Sequence, residues 1–407
     1  MKCRFCSTPL HDVFLDLGTA PASNAYLSAD ALHGPEFWFP LKLFTCSACR
    51  LVQVEDVHGR EQLFAPDYAY FSSYSRSWLA HAERYVEAAV ARLGLDERSL
   101  VVEVASNDGY LLQYVQARNI PCIGIEPTAS TARAAQERGI DTVVEFLGSE
   151  FGHAFSAERG AANLVVANNV LAHVPDINDF VAGLRALLAG DGTVTVEFPH
   201  LFELVRNHQF DTVYHEHFSY LSFLTVRRIF AAHGLAVWDV ERLSTHGGSL
   251  RVWASPTEAE RGETPAVAAM AERERAAGME DARFYAGFQD VAEAVKNDFV
   301  TFLLQQKRDG RTVTGYGAAA KGNTLLNFAG VRRDLLSFVV DASPHKQGRF
   351  LPGSRIPVVD EARLRATRPD YVVVLPWNLR DEIMAQLSYI REWGGRFVFA
   401  VPELVIA

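Results

Sequence analysis

Between Phe210 and Ser222 the sequence reads FDTVYHEHFSYLS, which places five side chains able to carry protons or bind metal within seven residues. They are Tyr214, His215, Glu216, His217 and Tyr220. An unperturbed histidine titrates near pH ~6.5 and can act as a general base, while glutamate and tyrosine can orient it or donate protons. Two histidines in a strand at this spacing would instead share a face and could bind a metal. The segment predicts an acid–base cluster, with a metal site or an ordinary polar surface as alternatives.

Four of the five cysteines form two CxxC pairs near the N-terminus, CRFC and CSAC. Two such pairs can supply four thiolates to one tetrahedral zinc ion, and in a cytosolic chain this spacing favours metal over disulfides. A redox-active CxxC is the alternative, but neither pair opens a thioredoxin-type helix. Cys122 is expected to lie in a buried strand. The predicted ligands of a structural zinc ion are Cys3, Cys6, Cys46 and Cys49.

The composition is that of a soluble globular protein, with 407 residues of which 49% are hydrophobic and 22% charged. A net charge of −10 disfavours nucleic-acid binding as the main activity, because such proteins usually present a basic surface. No apolar run approaches the roughly 20 residues of a membrane span, and the first residues lack the apolar core of a signal peptide. We therefore expect a cytoplasmic protein that binds neither nucleic acid nor a membrane, and we expect a monomer.

Three blocks follow one another along the chain, and together they predict an α/β fold. Residues 1–75 carry both cysteine pairs and little helical periodicity, which indicates a small zinc-binding lobe. Residues 76–255 begin with a helical stretch and then alternate apolar strands with helices, which is typical of a parallel, doubly wound sheet closed by two antiparallel strands. Residues 256–407 begin with a polar Ala/Glu/Arg-rich linker that enters a long helix, and then start a second α/β alternation.

The first strand, turn and helix of the second block, LVVEVASNDGYLLQYV, resemble the loop that cradles S-adenosylmethionine in class I methyltransferases. The acidic residue is Glu103, but Ala105 and Asn107 replace two of the three usual glycines and Gly109 alone remains. Asn107 can adopt a left-handed turn conformation at modest cost. The next strand ends at Glu126, whose carboxylate could accept hydrogen bonds from two ribose hydroxyls. A degenerate NAD fold or an ordinary α/β turn would fit the same residues.

A later strand of the same block ends in the sequence ANNVLAHVPD. It places Asn168, Asn169 and His173 at the carboxyl edge of the sheet, where open α/β folds bind their ligands. We therefore expect Asn169 to contact the cofactor and His173 to belong to the active site, although a lone histidine is more often structural.

The second glycine loop, GYGAAAKG, fits the GxGxxA pattern of nicotinamide-dinucleotide folds and follows a strand. A carboxylate, Asp341, ends the following strand, where such folds bind ribose. Lys321 adjoins the loop and could neutralise a pyrophosphate, and two further basic residues, Lys346 and Arg349, favour a phosphorylated ligand. The loop therefore predicts a nucleotide site without identifying the nucleotide.

Taken together, these motifs resemble one family, the S-adenosylmethionine-dependent nucleotide-sugar C-methyltransferases, and in particular its tetronitrose-pathway member. The four-cysteine lobe, SNDG, YxEHF, HGGSLR and GYGAAAKGNT occur in the family's order and span essentially the whole chain. Family members place a branching methyl group on C3 of dTDP-4-keto-deoxysugars. The resemblance implies a zinc lobe, a class I methyltransferase domain that binds S-adenosylmethionine, and a C-terminal Rossmann-like domain that helps to hold the sugar nucleotide.

The family's functional residues carry over onto matching positions of this sequence. Its zinc ligands match the four cysteines, and its catalytic residues match Tyr214, Glu216, His217 and His173. The resemblance places substrate contacts on Tyr68 in PDYAYFSS and, in the C-terminal domain, on Tyr316, Lys321 and Asn378. Three positions depart from the family pattern and leave the exact sugar open: His215, Phe71 and Ala105.

The expected chemistry is methylation through an enolate. The C4 ketone acidifies the C3 proton, so the enzyme needs a base at C3, a donor or cation at the C4 oxygen, and the sulfonium methyl group held in line. The family match alone selects His217 over His215 as the base, and Tyr214 or His173 could donate to the oxyanion. Two other functions fit the same sequence: a methyltransferase that also reduces the ketone with NADPH, and a non-catalytic nucleotide-sugar-binding protein.

Overall fold

The computed structural model describes residues 1–55 and 71–407 and contains three β-sheets, which follow the three blocks of the sequence. The first block contributes three antiparallel strands, β1 (Asp12–Ala20), β2 (Phe39–Thr45) and β3 (Val52–Val54), and a short 3-10 helix at Asp30–His33. One cysteine pair lies in the turn before β1 and the other in the turn between β2 and β3. Phe14 of β1 stacks on Phe288 of the third block, with ring centroids 5.0 Å apart. The lobe therefore shares its core with the C-terminal part of the chain.

The second block alternates strands and helices as expected. Its strands are β4 (Val101–Val104), β5 (Cys122–Ile125), β6 (Thr142–Val143), β7 (Ala162–Asn168), β8 (Leu188–Pro199), β9 (Ser219–Tyr220), β10 (Leu235–Leu243) and β11 (Ser249–Pro256). Its helices are α1 (Arg76–Leu93), α2 (Leu112–Gln116), α3 (Ala129–Glu137), α4 (Ser149–Arg159), α5 (Ile177–Leu187), α6 (Leu201–Arg206) and α7 (Phe223–Ala232). Short 3-10 helices lie at Ser72–Tyr74, Leu171–His173, Phe210–Thr212, Thr245–Gly247 and Thr257–Ala259.

Seven of these strands form one sheet in the order β10-β11-β8-β7-β4-β5-β6. Strands β4 to β8 are parallel, and β11 and β10 close the sheet in antiparallel pairing. This confirms the predicted doubly wound sheet with two closing strands. At its carboxyl edge, Asn168 of β7 lies beside Glu197 of β8, which lies beside Arg251 of β11. The ends of β4, β7 and β8 therefore bring their polar residues to one side of the sheet.

The two-residue strand β9 belongs to the first sheet instead. It pairs with β3, with Tyr220 opposite Val52 and Ser219 opposite Gln53. The backbone amide of Val54 also donates a hydrogen bond of 3.1 Å to the carbonyl of Phe218. The chain that follows the YHEH segment is therefore fixed to the zinc lobe.

The stretch predicted as a linker contains a well-packed helix, α8 (Pro265–Ala276). Its buried positions recur at helical spacing and are Val267, Met270, Ala271 and Glu274. The Glu274 carboxylate accepts hydrogen bonds from the amides of Phe223 at 2.6 Å and Leu224 at 2.9 Å, at the start of α7. The stretch predicted as a helical linker thus contains a helix whose narrow buried stripe packs it against the start of α7.

The third block continues with the long helix α9 (Phe288–Arg308), which confirms the helix expected to run towards Lys307. Its other helices are α10 (Ala320–Phe328), α11 (Glu361–Thr367) and α12 (Arg380–Gln386), with 3-10 helices at Ala282–Phe284, Trp377–Leu379 and Ser388–Trp393. Its strands are β12 (Val313–Tyr316), β13 (Val339–Val340), β14 (Val358–Val359), β15 (Tyr371–Val374), β16 (Arg396–Phe399) and β17 (Val405–Ile406). They form a sheet in the order β14-β13-β12-β15-β16-β17, which is parallel except for β17. Within the described ranges, no helix combines the length and apolar character needed to cross a bilayer.

Candidate functional site

The four N-terminal cysteines converge, with their sulfur atoms all within 4.8 Å of one another. The closest pairs, Cys3 with Cys49 and Cys6 with Cys46, are each 3.5 Å apart. Tetrahedral zinc with Zn–S bonds of about 2.3 Å needs sulfur separations of about 3.8 Å, so this cluster fits the ion. The side-chain amide of Gln53 donates to the Cys3 sulfur at 3.3 Å, as expected beside a thiolate ligand.

The loop after β4 takes the backbone conformation that a glycine-rich loop would take. Ala105, Asn107 and Gly109 all lie in the left-handed region, with φ of 56°, 51° and 77°. A side chain at Gly109 would approach Ile140 to 3.0 Å. The expected left-handed turn at Asn107 is confirmed, and Ala105 adopts the same region although it carries a side chain.

Glu126 holds this loop from the end of β5. Its carboxylate accepts hydrogen bonds of 2.9 Å from the backbone amides of Asn107 and Thr128. Burial raises the pKa of Glu126, and the two amides oppose that rise. Each carboxylate oxygen can accept a further hydrogen bond, so Glu126 could also bind a ribose hydroxyl.

Buried polar atoms gather at the carboxyl edge of the sheet. Among the described residues, one carboxylate oxygen of Glu103 and the side-chain oxygens of Asn168 and Asn169 are enclosed without a hydrogen-bond partner. Burial also raises the pKa of Glu103 well above its ordinary value. Buried polar groups normally have partners, so this edge fits a polar cofactor that supplies them.

His217 is fixed in one tautomer by its two neighbours. Its Nδ1 lies 3.1 Å from the Thr212 carbonyl, and its Nε2 lies 2.9 Å from the Tyr214 hydroxyl. A carbonyl only accepts, so Nδ1 carries the proton, and Nε2 has a lone pair that accepts from Tyr214. Burial lowers the pKa of His217 well below its ordinary value, with His173 contributing. The imidazole is therefore neutral and able to accept a proton at Nε2.

His173 joins this pair from the short 3-10 helix Leu171–His173, which follows β7. Its ring lies edge-on to that of His217, with centroids 4.6 Å apart. Burial lowers the pKa of His173 to about 4, so it too is neutral at physiological pH. The structure therefore brings together three of the four predicted catalytic side chains in direct contact: Tyr214, His217 and His173.

Glu216, the fourth predicted catalytic residue, is buried and points to a different neighbour. Its carboxylate accepts a hydrogen bond of 2.6 Å from the side-chain amide of Asn24, in the connection between β1 and β2. Burial raises the pKa of Glu216 to about 7, which leaves the carboxyl group partly protonated at neutral pH. The group could therefore both accept and donate hydrogen bonds to a ligand.

His215 does not belong to the histidine cluster. Residues 214–217 form a turn, closed by a 3.0 Å hydrogen bond from the His217 amide to the Tyr214 carbonyl. His215 bonds the carbonyl of Pro40 at 3.1 Å and packs edge-on against Phe39. A metal site built on a strand with both histidines on one face is therefore not formed. Within residues 1–55 and 71–407, the four cysteines are the only group of three or more potential ligands close enough to share an ion.

Lys321 approaches the YHEHF segment from the start of α10. Its ammonium group donates to the side-chain oxygen of Asn378 at 2.6 Å and lies 4.4 Å from the centre of the Trp377 ring. Burial lowers the pKa of Lys321 to about 8, and the negative charge of Asp211 opposes this. The Trp377 indole donates to Asp211 at 2.7 Å, so the C-terminal sheet is fixed next to the YHEHF segment.

Of the two tyrosines expected to contact substrate, the structure describes Tyr316. The Tyr316 ring packs in the core of the third sheet, and its hydroxyl accepts a hydrogen bond of 2.9 Å from Gln386. The structure thus directs Tyr316 towards α12, whereas Lys321 and Asn378 bond each other. Tyr68 lies outside the described residues.

Sequence reasoning missed four residues that the structure places around the candidate site: Asn24, Asp211, His246 and Trp377. A signal existed for two of them, because His246 opens the HGGSLR motif and Trp377 lies in the PWN sequence beside Asn378. The sequence offers no comparable signal for Asn24 or Asp211. Their importance depends on contacts with residues up to 192 positions away, which no local pattern encodes.

Family models match three successive parts of the chain. Residues 3–64 match a zinc binding domain, residues 78–240 a methyltransferase domain, and residues 244–402 a C-methyltransferase C-terminal domain. The order agrees with the zinc lobe, the cofactor sheet and the second α/β unit described above.

One curated relative spans the whole chain. The C-methyltransferase NovU of Streptomyces niveus is 37% identical over 405 residues, which is 99% of this chain and 96% of that protein. Solved structures match only in part. A Burkholderia thailandensis 1,6-didemethyltoxoflavin-N1-methyltransferase with bound S-adenosylhomocysteine has 15% identity, covers 51% of this chain and 96% of that chain, and has a TM-score of 0.37. The magnesium protoporphyrin IX methyltransferase of Synechocystis PCC 6803 with bound SAM has 16% identity, covers 48% and 88%, and has a TM-score of 0.33.

The assignment rests on the full-length relative and the three domain models, and it confirms the resemblance inferred from the motifs. The cysteine cluster and the polar carboxyl edge of the sheet fit the two cofactors of such an enzyme. The chain therefore belongs to the family of S-adenosylmethionine-dependent C-methyltransferases that carry an N-terminal zinc binding domain, and its cofactors are S-adenosylmethionine and zinc.

Proposed function

We propose that this enzyme methylates C3 of a dTDP-4-keto-deoxysugar through an enolate, with His217 as the base. The observation that carries the proposal is the buried, neutral imidazole of His217, whose Nε2 lone pair is held by the Tyr214 hydroxyl. Carbon methylation needs a carbon nucleophile, and a proton next to a ketone is one that a neutral imidazole can remove. A sugar with a C4 ketone therefore suits the site.

The cofactor would be held at the carboxyl edge of the second sheet. Glu103, Glu126 and Asn169 would bind its polar groups, and the loop from Ala105 to Gly109 would lie against it. When bound, S-adenosylmethionine supplies an electrophilic methyl group. Asn107 and Asp108 are also tied to residues 72 and 73, so the chain that enters α1 covers the same loop.

In the proton-transfer step, His217 and Tyr214 have different roles. The Nε2 of His217 takes the C3 proton, and the electron pair of the C–H bond becomes the C3–C4 double bond of the enolate. The Tyr214 hydroxyl, released from Nε2, can then donate to the oxygen at C4, where negative charge develops. The Thr212 carbonyl stabilises the imidazolium through Nδ1. After methyl transfer the imidazolium loses its proton to solvent and the site is reset.

Two further groups would orient the sugar. Glu216, with a pKa raised to about 7 by burial, can bond a substrate hydroxyl or amine in either protonation state. His173 packs on the proposed base and could donate a hydrogen bond to the sugar. Lys321 and Asn378 would bind the nucleotide part from the C-terminal domain, which supports a substrate that spans both domains. The resemblance adds Tyr68 and Tyr316 to these contacts.

The test is product analysis with the purified enzyme, S-adenosylmethionine and a panel of dTDP-4-keto-deoxysugars. We expect a product that has gained one CH2 unit, with a carbon-bound methyl group at C3 in its NMR spectrum. Because a C4 ketone also acidifies the proton on C5, methylation there would move the site of attack and keep the enolate. Methylation on oxygen, or no methylated sugar, would contradict the proposal. Oxidation of added NADPH would instead favour a combined methyltransferase and ketoreductase.

A further inference from the structure

The loop from Ser244 to Gly248, which joins β10 to β11, is not used by the mechanism above. Leu243 pairs with Ser249 across its base, and Ser249 pairs in turn with Pro199 at the carboxyl end of β8. The loop therefore lies at the same edge of the sheet as the candidate cofactor site. It connects the methyltransferase sheet to the C-terminal domain at this edge.

The loop is held in a strained conformation against the C-terminal domain. His246 has φ of 54° and ψ of 22°, in the left-handed region that non-glycine residues rarely adopt. A side chain on Gly247 would approach the Trp377 ring to 2.5 Å, and the Gly247 carbonyl accepts a hydrogen bond of 2.8 Å from Gln209. Strain of this kind persists where surrounding contacts impose it and is frequent at functional sites.

The strained backbone places the imidazole of His246 inside the protein. Among the described residues, the Nδ1 of His246 is enclosed without a hydrogen-bond partner. The ring meets Trp78 edge-on at 5.4 Å, and Trp78 stacks on Tyr110, next to the cofactor loop, at 6.0 Å. Because Nδ1 is enclosed, Nε2 is the nitrogen of His246 that can meet a ligand.

Burial is the main reason that the His246 ring stays neutral. Burial, followed by the positive charge of Lys321, lowers the pKa of His246 to about 4, while the carboxylate of Glu197 opposes this. Two other histidines, His81 and His173, also face it. A neutral imidazole can still donate a hydrogen bond, and as a weak acid it is well matched to an enolate oxygen.

We propose that His246 is a further substrate-contacting residue, which donates a hydrogen bond from Nε2 to the C4 oxygen of the keto sugar. The inference rests on the proposed function, since it names a second donor for the same oxyanion. His246 would approach from the side of Trp78 and Trp377, while Tyr214 and His217 approach from the YHEHF turn. Two donors from separate elements would stabilise the enolate from two directions.

Two variants and one matched control test this role. His246→Asn keeps a residue type that tolerates the left-handed backbone, but its shorter amide cannot reach the position of Nε2. His246→Gln can place an amide N–H near that position. His208→Asn is the control, because His208 is a half-buried residue with a similar φ of 52°, and its Nδ1 lies 3.2 Å from the Pro402 carbonyl. The measurements are turnover and exchange of the substrate C3 proton with solvent deuterium.

We expect His246→Asn to lower both turnover and exchange by about 100-fold or more, with the affinity for S-adenosylmethionine and the melting temperature unchanged. His246→Gln should recover part of the loss, and His208→Asn should match the wild type. Near-normal rates in His246→Asn would overturn the inference, as would a loss accompanied by equally reduced stability and no recovery in His246→Gln. A wild-type enzyme that methylates no keto sugar would overturn the proposed function, and the C4 role with it.

Discussion

At His217, one feature of the surroundings sets the tautomer of the ring and a different one sets its charge. The Thr212 carbonyl fixes the proton on Nδ1, while burial keeps the ring from gaining a second proton. A base that is neutral at working pH is ready to accept a proton, and a base with a low pKa returns it readily to solvent. The acid limb of the pH–rate profile that belongs to His217 should therefore lie below its ordinary pKa of about 6.5.

Glu216 gives a residue-scale prediction about stability. Its pKa is about 7 in the folded chain, against about 4.5 for an ordinary glutamate, so the folded state holds the proton more tightly. Its ionisation therefore opposes folding, and this penalty is fully present above about pH 7. Glu216→Gln keeps the oxygen that Asn24 bonds and removes the charge. We expect it to raise the free energy of unfolding at pH 8 by about 3 kcal/mol while lowering turnover.

The pH dependence supplies the internal control for this variant. As pH falls from about 7 to about 4.5, the wild-type carboxyl group takes up its proton in both states, so the advantage of Glu216→Gln should disappear. Denaturant unfolding at several pH values measures the difference. An advantage that does not change with pH would show that the substitution acts through packing rather than through charge.

At the scale of elements, the zinc lobe is connected to the active site through strand pairing. Cys46 and Cys49 bracket the turn that leads into β3, and β3 pairs with β9, which begins two residues after His217. The Cys49 carbonyl also accepts a hydrogen bond of 3.3 Å from Thr225 on α7. A zinc ion held by the four cysteines would thus support the position of His217, the proposed base, through the fold.

Zinc removal should therefore lower activity through the fold. We expect about one zinc ion per chain, and we expect Cys46→Ser to lose it, to reduce turnover and to increase amide exchange at residues 218–220. Elemental analysis and hydrogen exchange measured by mass spectrometry provide the readouts. Two metal ions per chain would instead support a second metal site formed by histidines. Full activity with unchanged exchange in the zinc-free protein would contradict the proposed connection.

At the scale of the whole molecule, the site lies where two domains meet. Lys321 and Trp377 come from the C-terminal unit, while Asp211 and His217 come from the methyltransferase unit. Burial lowers the pKa of Lys321 to about 8, which still leaves it mostly charged at neutral pH. A half-buried cation at this junction can recognise an anionic substrate that spans both domains.

Lys321→Ala should weaken binding of the sugar nucleotide by about 1.5–3 kcal/mol, the usual range for hydrogen bonds to charged groups, and leave S-adenosylmethionine binding intact. Isothermal titration with each ligand separates the two effects. Lys307→Ala is the control, since this exposed lysine pairs with Asp334 at the surface. Tight NADPH binding that Lys321→Ala abolishes would instead support the ketoreductase activity.

The sequence predicted the zinc-binding lobe and the two α/β units because paired cysteines and strand–helix alternation are local patterns. The family resemblance grouped Tyr214, His217 and His173 as one site, and the position of His173 shortly after a parallel strand agreed with that grouping. Local patterns could not reveal β9, which is two residues long, or the packing of α8, whose buried stripe is narrow. The contact of Asn24 with Glu216 depends on long-range packing, which a single sequence does not encode.

The most direct test of the central claim is exchange of the substrate C3 proton with solvent deuterium in the presence of S-adenosylhomocysteine. The wild type should catalyse this exchange without methyl transfer, because proton removal needs only the base. His217→Asn should slow exchange and turnover on the order of 100- to 10,000-fold and keep zinc and both ligands. His215→Asn, which removes the ring bonded to Pro40, should exchange nearly as the wild type does. Wild-type exchange in His217→Asn would contradict the assignment of His217 as the base.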